Sequence, residues 1–174
     1  PAKLGLPVGT SITVREAATA LAVRSANDVA VVVAEGVAGS EEAFARQMNA
    51  RARAIGMSRT HFVNASGLPD EGQISTARDM ALLALQLRTR FPAYQNFFTL
   101  KEFRFNGRRY EATNKLLGKV PGVDGLKTGY IRASGFHLVA TAQRGNKRLI
   151  AVVMGGETGR ARDARAEQLL ETWF

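Results

Sequence analysis

The chain has 174 residues, a length that suits one ordinary domain, with 45% hydrophobic and 22% charged residues and a formal net charge of +9. It has no cysteine, which excludes disulfides and thiolate metal sites, and its most apolar run, Val29 to Ala34, is far shorter than the roughly 18 residues that a membrane span needs. Most of the basic residues are arginine, and they fall in short groups (Arg51/Arg53, Arg88/Arg90, Arg108/Arg109, Arg160/Arg162/Arg165), with no aromatic-plus-basic stripe or known motif of a nucleic-acid binder.

Thr13-Val14-Arg15-Glu16 has the spacing of a capping box and predicts a helix running to about Val23. Arg24-Ser25-Ala26 breaks it, and a second apolar helix is expected from about Asn27 to Val37. Gly39-Ser40 ends that one, and Ser40 caps a third over Glu41 to Ile55, stopped by Gly56. Residues 57 to 75 hold the turn formers Asn64, Gly67, Pro69, Asp70 and Gly72, and read as an irregular loop with a short extended piece at His61-Phe62-Val63. Thr76-Ala77-Arg78-Asp79 is read as a second capping box, opening a helix with apolar positions at Met80, Leu83 and Leu87 that Pro92 ends.

The period then changes to two. Phe103 and Phe105 alternate with charged residues, Asn106-Gly107 is a hairpin turn, and Tyr110 begins the return strand. Asp124-Gly125 is read as another turn. Strands are expected at Leu126 to Ile131, Phe136 to Gln143 and Arg148 to Met154, the last two joined at Gly145-Asn146. Gly155-Gly156 leads into a final helix from about Arg160 to Trp173, with Trp173 in the core or at the helix edge. Helices, then strands, then a closing helix predict an α+β fold: an antiparallel sheet flanked by helices, with a helical lobe beside it and one domain over residues 1–174.

Two short motifs could carry chemistry. Ser25 and Asn27 lie two apart at a helix-to-helix break and could share a cleft, although either could equally cap the second helix. Lys127-Thr128-Gly129 lies on an expected strand, where glycine admits a close approach, lysine supplies charge and threonine a hydroxyl; an ordinary edge strand has the same pattern. His61 and His137 have no second ligand at metal spacing, and neither metal nor cofactor is implied. Asp28, Asp79 and Asp124 read as helix-start and turn residues.

Together the motifs match the Ser-x-Asn and Lys-Thr-Gly elements of penicillin-binding proteins, in the right order. With Leu4-Gly5-Leu6-Pro7-Val8-Gly9, Ser25-Ala26-Asn27-Asp28-Val29-Ala30, Ser66-Gly67-Leu68, Ser75 to Ala81, Val123 to Gly129 and Val153-Met154-Gly155-Gly156, essentially the whole chain resembles the low-molecular-mass serine D-alanyl-D-alanine carboxypeptidases of the peptidase S11 type. The resemblance implies a β-lactamase-like, DD-peptidase fold, action on peptidoglycan stem peptides ending in D-Ala-D-Ala, inhibition by β-lactams and a periplasmic location. It implies that Ser25 passes a proton toward the leaving D-Ala amine and Asn27 binds a substrate amide. Lys127 would hold the Ser25 hydroxyl, and Thr128, beside Gly129, would bind the terminal carboxylate. The N–H of Tyr130 would be half of an oxyanion hole, and Arg162 would help to hold the carboxylate.

The family's nucleophile and base come from Ser-x-x-Lys, and no serine here has lysine three positions on. The sequence opens on Pro1 and shows no signal peptide, so that segment is expected upstream, as a possible partner of this chain. The 174 residues alone are then expected to be inactive. An endopeptidase with the same site, or a non-catalytic wall-binding protein that has lost its serine, are the alternatives. The basic surface is read as solvated charge or as attraction to acidic wall material.

Overall fold

The computed structural model describes all 174 residues, Pro1–Phe174. The first three helices form where expected. Helix α1 (Val14–Val23) opens on a complete capping box, in which the Thr13 hydroxyl accepts from the Glu16 N–H at 3.2 Å and Glu16 accepts from the Thr13 N–H at 2.9 Å. Helix α2 (Asn27–Ala38) ends at Gly39, whose φ of 82° is the left-handed conformation that closes a helix without a Cβ clash. Helix α3 (Glu41–Ala54) is capped by Ser40, which accepts from the Ala43 N–H at 3.0 Å.

The loop that follows has a single bridge, His61 to Ile74. It is held by side chains instead of a ladder. Asn49 of α3 takes both the N–H and the carbonyl of Phe62, each at 2.7 Å. Helix α4 (Ala77–Arg90) has only half of the expected capping box. Thr76 accepts from the Asp79 N–H at 3.1 Å, but the Asp79 carboxylate turns away from the cap and is buried, accepting from the Arg59 N–H at 2.9 Å and the Thr60 hydroxyl at 2.6 Å. The loop's unpaired donors claim it. A 3-10 turn (Pro92–Tyr94) and the one-turn helix α5 (Asn96–Thr99) follow.

Strands β1 (Glu102–Phe105) and β2 (Arg108–Glu111) form a hairpin closed by Asn106 and Gly107, both at positive φ, as a type I′ turn requires. The return strand starts two residues before Tyr110, because a two-residue turn forces Phe105 to face Arg108. Strands β3 (Val123–Ile131), β4 (Gly135–Arg144) and β5 (Lys147–Gly156) make an antiparallel sheet in that order. Asp124-Gly125, read as a turn, lies inside β3. Asp124 is the extra residue of a bulge between Val123 and Gly125, and Arg88 of α4 grips its carboxylate at 2.6 and 2.7 Å while also donating to the Thr141 hydroxyl. An ion pair to a distant helix outweighs the local turn preference of Asp-Gly. Helix α6 (Gly159–Trp173) packs back on β4 and β5; Trp173 is 65% exposed and therefore sits at the helix edge. No helix is long and apolar enough to cross a membrane.

The result is the expected α+β arrangement of antiparallel sheet and helices. Its apolar interior falls into two clusters. Ala17, Ala20 and Val23 of α1 pack with Val29 of α2, Phe103 of β1 and Ala112. Leu138, Ala140 and Ala151 of the sheet pack with Ala166 and Leu170 of α6 and with Leu116. The short segment from Ala112 to Leu116 therefore passes from one core to the other. The break after Val23 and the strand after Leu126 face each other along the same seam.

Candidate active site

Helix α1 stops at Arg24, and Ser25 adopts φ 59°. A serine in the left-handed region costs about 1–2 kcal/mol relative to an ordinary helical conformation. The helix that follows does not repay this through a cap, since its N-cap is Ala26 with no side-chain hydrogen bond. The capping reading of Ser25 and Asn27 therefore falls. What the kink achieves is to bring the Ser25 hydroxyl 2.8 Å from the Lys127 ammonium, 102 residues away, with the ammonium donating. Because Ser25 accepts there, its own O–H proton remains available for another acceptor.

Lys127 also donates to the Thr128 carbonyl at 2.9 Å and forms no salt bridge with a carboxylate. Desolvation of its ammonium pushes its pKa down to about 8. A cation surrounded by protein and held by neutral oxygens alone is primed for an anion, or for a group that becomes negative during a reaction. The Thr128 hydroxyl lies 2.7 Å from the Thr113 hydroxyl, with the angles of a bond donated by Thr128.

Gly129 is exposed and pairs with His137 in β4. A Cβ placed there would meet the His137 side chain at 3.7 Å, an ordinary contact, so the fold itself does not demand glycine. Tyr130 follows on the same edge strand, 57% exposed, its ring packed at a 32° tilt against Phe136 with centroids 4.3 Å apart. Asn27, the first residue of α2, is half-buried, and its backbone N–H donates to the Ala2 carbonyl at 2.9 Å.

Arg162 bonds to β4 and to its own helix, and makes no hydrogen bond to Ser25, Lys127 or Thr128. It is buried in the first turns of α6, with Nε donating to Asp163 at 2.9 Å and Nη1 to the His137 carbonyl at 3.1 Å. His137 is the β4 partner of Gly129, so the guanidinium lies one strand behind the Lys127–Gly129 run, already engaged.

A second serine, Ser134, has a histidine beside it but lacks the geometry of an activated nucleophile. Its hydroxyl is 2.9 Å from Nε2 of His137, but Nδ1 accepts from the Gly155 N–H at 3.0 Å. The unprotonated nitrogen therefore faces the backbone, and Nε2 carries the proton that a general base would have to lack. Burial and the Arg162 charge lower the His137 pKa, which favours this neutral form. The pair is a staple across the sheet end. No three His, Asp or Glu side chains are grouped so as to hold a metal ion.

Sequence reasoning missed three supports of the Ser25–Lys127 contact. The Asp28 carboxylate accepts from the N–H groups of Leu4, Gly5 and Leu6 at 2.8–3.3 Å, tying the N-terminal segment to the start of α2. The Arg24 guanidinium lies 5.6 Å from the centre of the Tyr110 ring, steadying the residue before Ser25. Thr113 joins both sides of the seam. Each partner is distant in sequence, so no local pattern announces it.

Known proteins resemble this chain in both sequence and fold. The D-alanyl-D-alanine carboxypeptidase family, Peptidase S11, matches residues 2–158. The chain is 41% identical over 169 residues to the D-alanyl-D-alanine carboxypeptidase DacA of Escherichia coli K12, covering 97% of this chain and 42% of that protein. It is 39% identical over 175 residues to DacF of Bacillus subtilis, covering 97% and 44%. Penicillin binding protein 5 from Haemophilus influenzae superposes with a TM-score of 0.95 at 34% identity, over 99% of this chain and 51% of that one. Penicillin-Binding Protein D2 from Listeria monocytogenes, solved in an ampicillin-bound form, superposes with a TM-score of 0.85 at 33% identity, over 98% and 74%. The chain thus spans less than half the length of the two carboxypeptidases whose sequences it matches.

Proposed function

The chain belongs to the D-alanyl-D-alanine carboxypeptidase family of peptidase S11, and from that premise we propose that it forms the substrate-gripping side of a serine-type D-Ala-D-Ala carboxypeptidase acting in the periplasm. The observation that carries the reading is the 2.8 Å contact between Lys127 and Ser25, because it places an unpaired cation and a hydroxyl with a free proton at one point between the two cores.

The substrate is a peptidoglycan stem peptide with a free D-Ala carboxylate. Its anionic end is drawn to Lys127 and to the threonine hydroxyls beside it, and the buried Arg162 adds positive field from behind β4. Asn27 pairs with an amide of the peptide, and the Tyr130 N–H faces the carbonyl oxygen as it gains charge. When the bond between the last two D-Ala residues breaks, the leaving nitrogen needs a proton. Ser25 gives its own, and the proton that the attacking serine releases returns to Ser25, while the Lys127 ammonium, donating to the Ser25 oxygen at 2.8 Å, keeps its charge and holds that oxygen in place. The acyl group stays on a serine hydroxyl until water releases it. No serine in these 174 residues is followed by lysine three positions on, so a Ser-x-x-Lys nucleophile is not among them. β-Lactams, which carry a carboxylate beside a reactive amide, occupy the same cleft.

Labelling with a fluorescent penicillin tests this directly. The gene product as the cell makes it is expected to form a covalent adduct, and the 174-residue chain is not. An unlabelled gene product would overturn the enzyme assignment. A labelled 174-residue chain would overturn the inference that its cleft lacks an attacking group.

A further inference from the structure

Thr113 sits between Ala112, which is buried in the first core, and Asn114, which is buried beside Leu116 of the second. Its backbone N–H donates to the Val23 carbonyl at 3.3 Å, two residues before Ser25. Its side chain reaches strand β3, where its hydroxyl oxygen accepts from the Thr128 hydroxyl at 2.7 Å. That is the only hydrogen bond the Thr113 hydroxyl makes. A hydroxyl has one proton, and Thr128 has committed its own to Thr113. The proton left over in this pair belongs to Thr113, which has no acceptor in the chain.

We propose that Thr113 is a specificity-determining residue of the cleft, giving the hydroxyl proton that selects a carboxylate-ended ligand. Thr128 polarises it from behind. The inference rests on the carboxylate-binding reading of the cleft given above. The two hydroxyl oxygens are 2.7 Å apart, close enough for one carboxylate to span the pair. With Thr128 donating to Thr113, the Thr113 proton is the one without an acceptor in the chain. A chain of two hydroxyls ending on an anion is strengthened by the polarisation of each link by the next. The Lys127 ammonium, bonded to the Thr128 carbonyl, lies on the same strand and adds charge without directional demand. Thr113 also links the ligand to the Val23 carbonyl, so a ligand held by Thr113 is held in register with Ser25.

The test is equilibrium binding to the 174-residue chain, followed through the backbone amide signals of Thr128 and Gly129. The probes are acetyl-D-Ala-D-Ala and its C-terminal carboxamide. Thr113→Val, which keeps the shape and removes the hydroxyl, is expected to weaken the carboxylate probe about tenfold, the effect of losing one hydrogen bond to a charged group. It should leave the carboxamide unchanged. Thr113→Ser is expected to bind both probes within about twofold of the parent. Should the valine variant fail to fold, Thr113→Ala removes the hydroxyl with less demand on packing. Parent-like carboxylate binding in the hydroxyl-free variants would overturn the proposal. So would equal losses for both probes, which mark a structural role. If the parent itself does not prefer the carboxylate probe, the carboxylate-cleft reading fails first, and this failure is visible without any variant.

Discussion

The Lys127 ammonium is held by two neutral oxygens, from Ser25 and Thr128, and this fixes how it enters stability. Its pKa falls to about 8 in the folded chain because burial strips water from the charged form. An unfolded lysine titrates at about 10.4. Between those values the unfolded chain holds a proton that the folded chain has lost, so stability rises with pH across that window. Below it the protonated amine is retained at a cost approaching about 3 kcal/mol, since each pH unit separating the two values is worth roughly 1.4 kcal/mol. Lys127→Met removes the titrating group. Denaturant unfolding of both proteins from about pH 7 to about pH 10 should show the parent gaining up to about 3 kcal/mol on the variant. A constant difference would mean that the ammonium is not desolvated. The same titration sets ligand affinity. A carboxylate probe should bind best below about pH 8 and weaken above it, as the cation is lost.

At the scale of elements, the start of α2 is where the N-terminal segment is tied down. Asp28 takes N–H groups from Leu4, Gly5 and Leu6, besides that of Val29 in its own helix. Its desolvation favours the neutral acid, but these four donors together outweigh that and lower its pKa. Its contribution to stability is therefore present above the ordinary aspartate pKa and is lost as pH falls through the lowered folded value. Asp28→Ala should cost about 2 kcal/mol, since several backbone donors lose their acceptor together. Amide exchange should show protection vanishing at Leu4, Gly5 and Leu6 while α3 and α4 keep theirs; undiminished protection at those three amides would refute the tie. The sequence makes such elements visible unequally. The Thr13–Glu16 box, the Ser40 cap and the Asn106-Gly107 turn are legible because both partners lie within four residues. Asp79 and Asp124 mislead for the opposite reason. Each looks like a local cap or turn former, and each is taken by a partner 19 to 36 residues away. In the cleft, Ser25 and Lys127 are recognisable only as members of a known motif set. Thr113 belongs to no motif, and only the crossing of the chain between two cores brings it to Thr128.

For the molecule as a whole, two kinds of positive charge must be kept apart. The net +9 is carried mainly by exposed side chains in scattered groups. Several converge on a hollow of about 390 Å³ where Lys115, Lys119 and Arg160 stand with Arg162, against Asp163 and Glu167. Exposed charges act over a Debye length of about 8–10 Å at physiological salt and are screened as salt rises. The Lys127 charge is desolvated and held at 2.8 Å from Ser25, so its attraction for a ligand in contact is screened far less. A polyanionic wall polymer and a small D-Ala-ended peptide should therefore respond differently to salt. Retention of the chain on purified cell-wall sacculi is expected to fall steeply between about 50 mM and 500 mM salt, because it draws on the scattered arginines and lysines. Affinity for acetyl-D-Ala-D-Ala should change by no more than a few fold over the same range. Parallel sedimentation and titration measurements would separate the two. If both interactions weaken together, the peptide is being held by the exposed surface and not by the cleft, and the separation between a collecting surface and a selecting site does not hold.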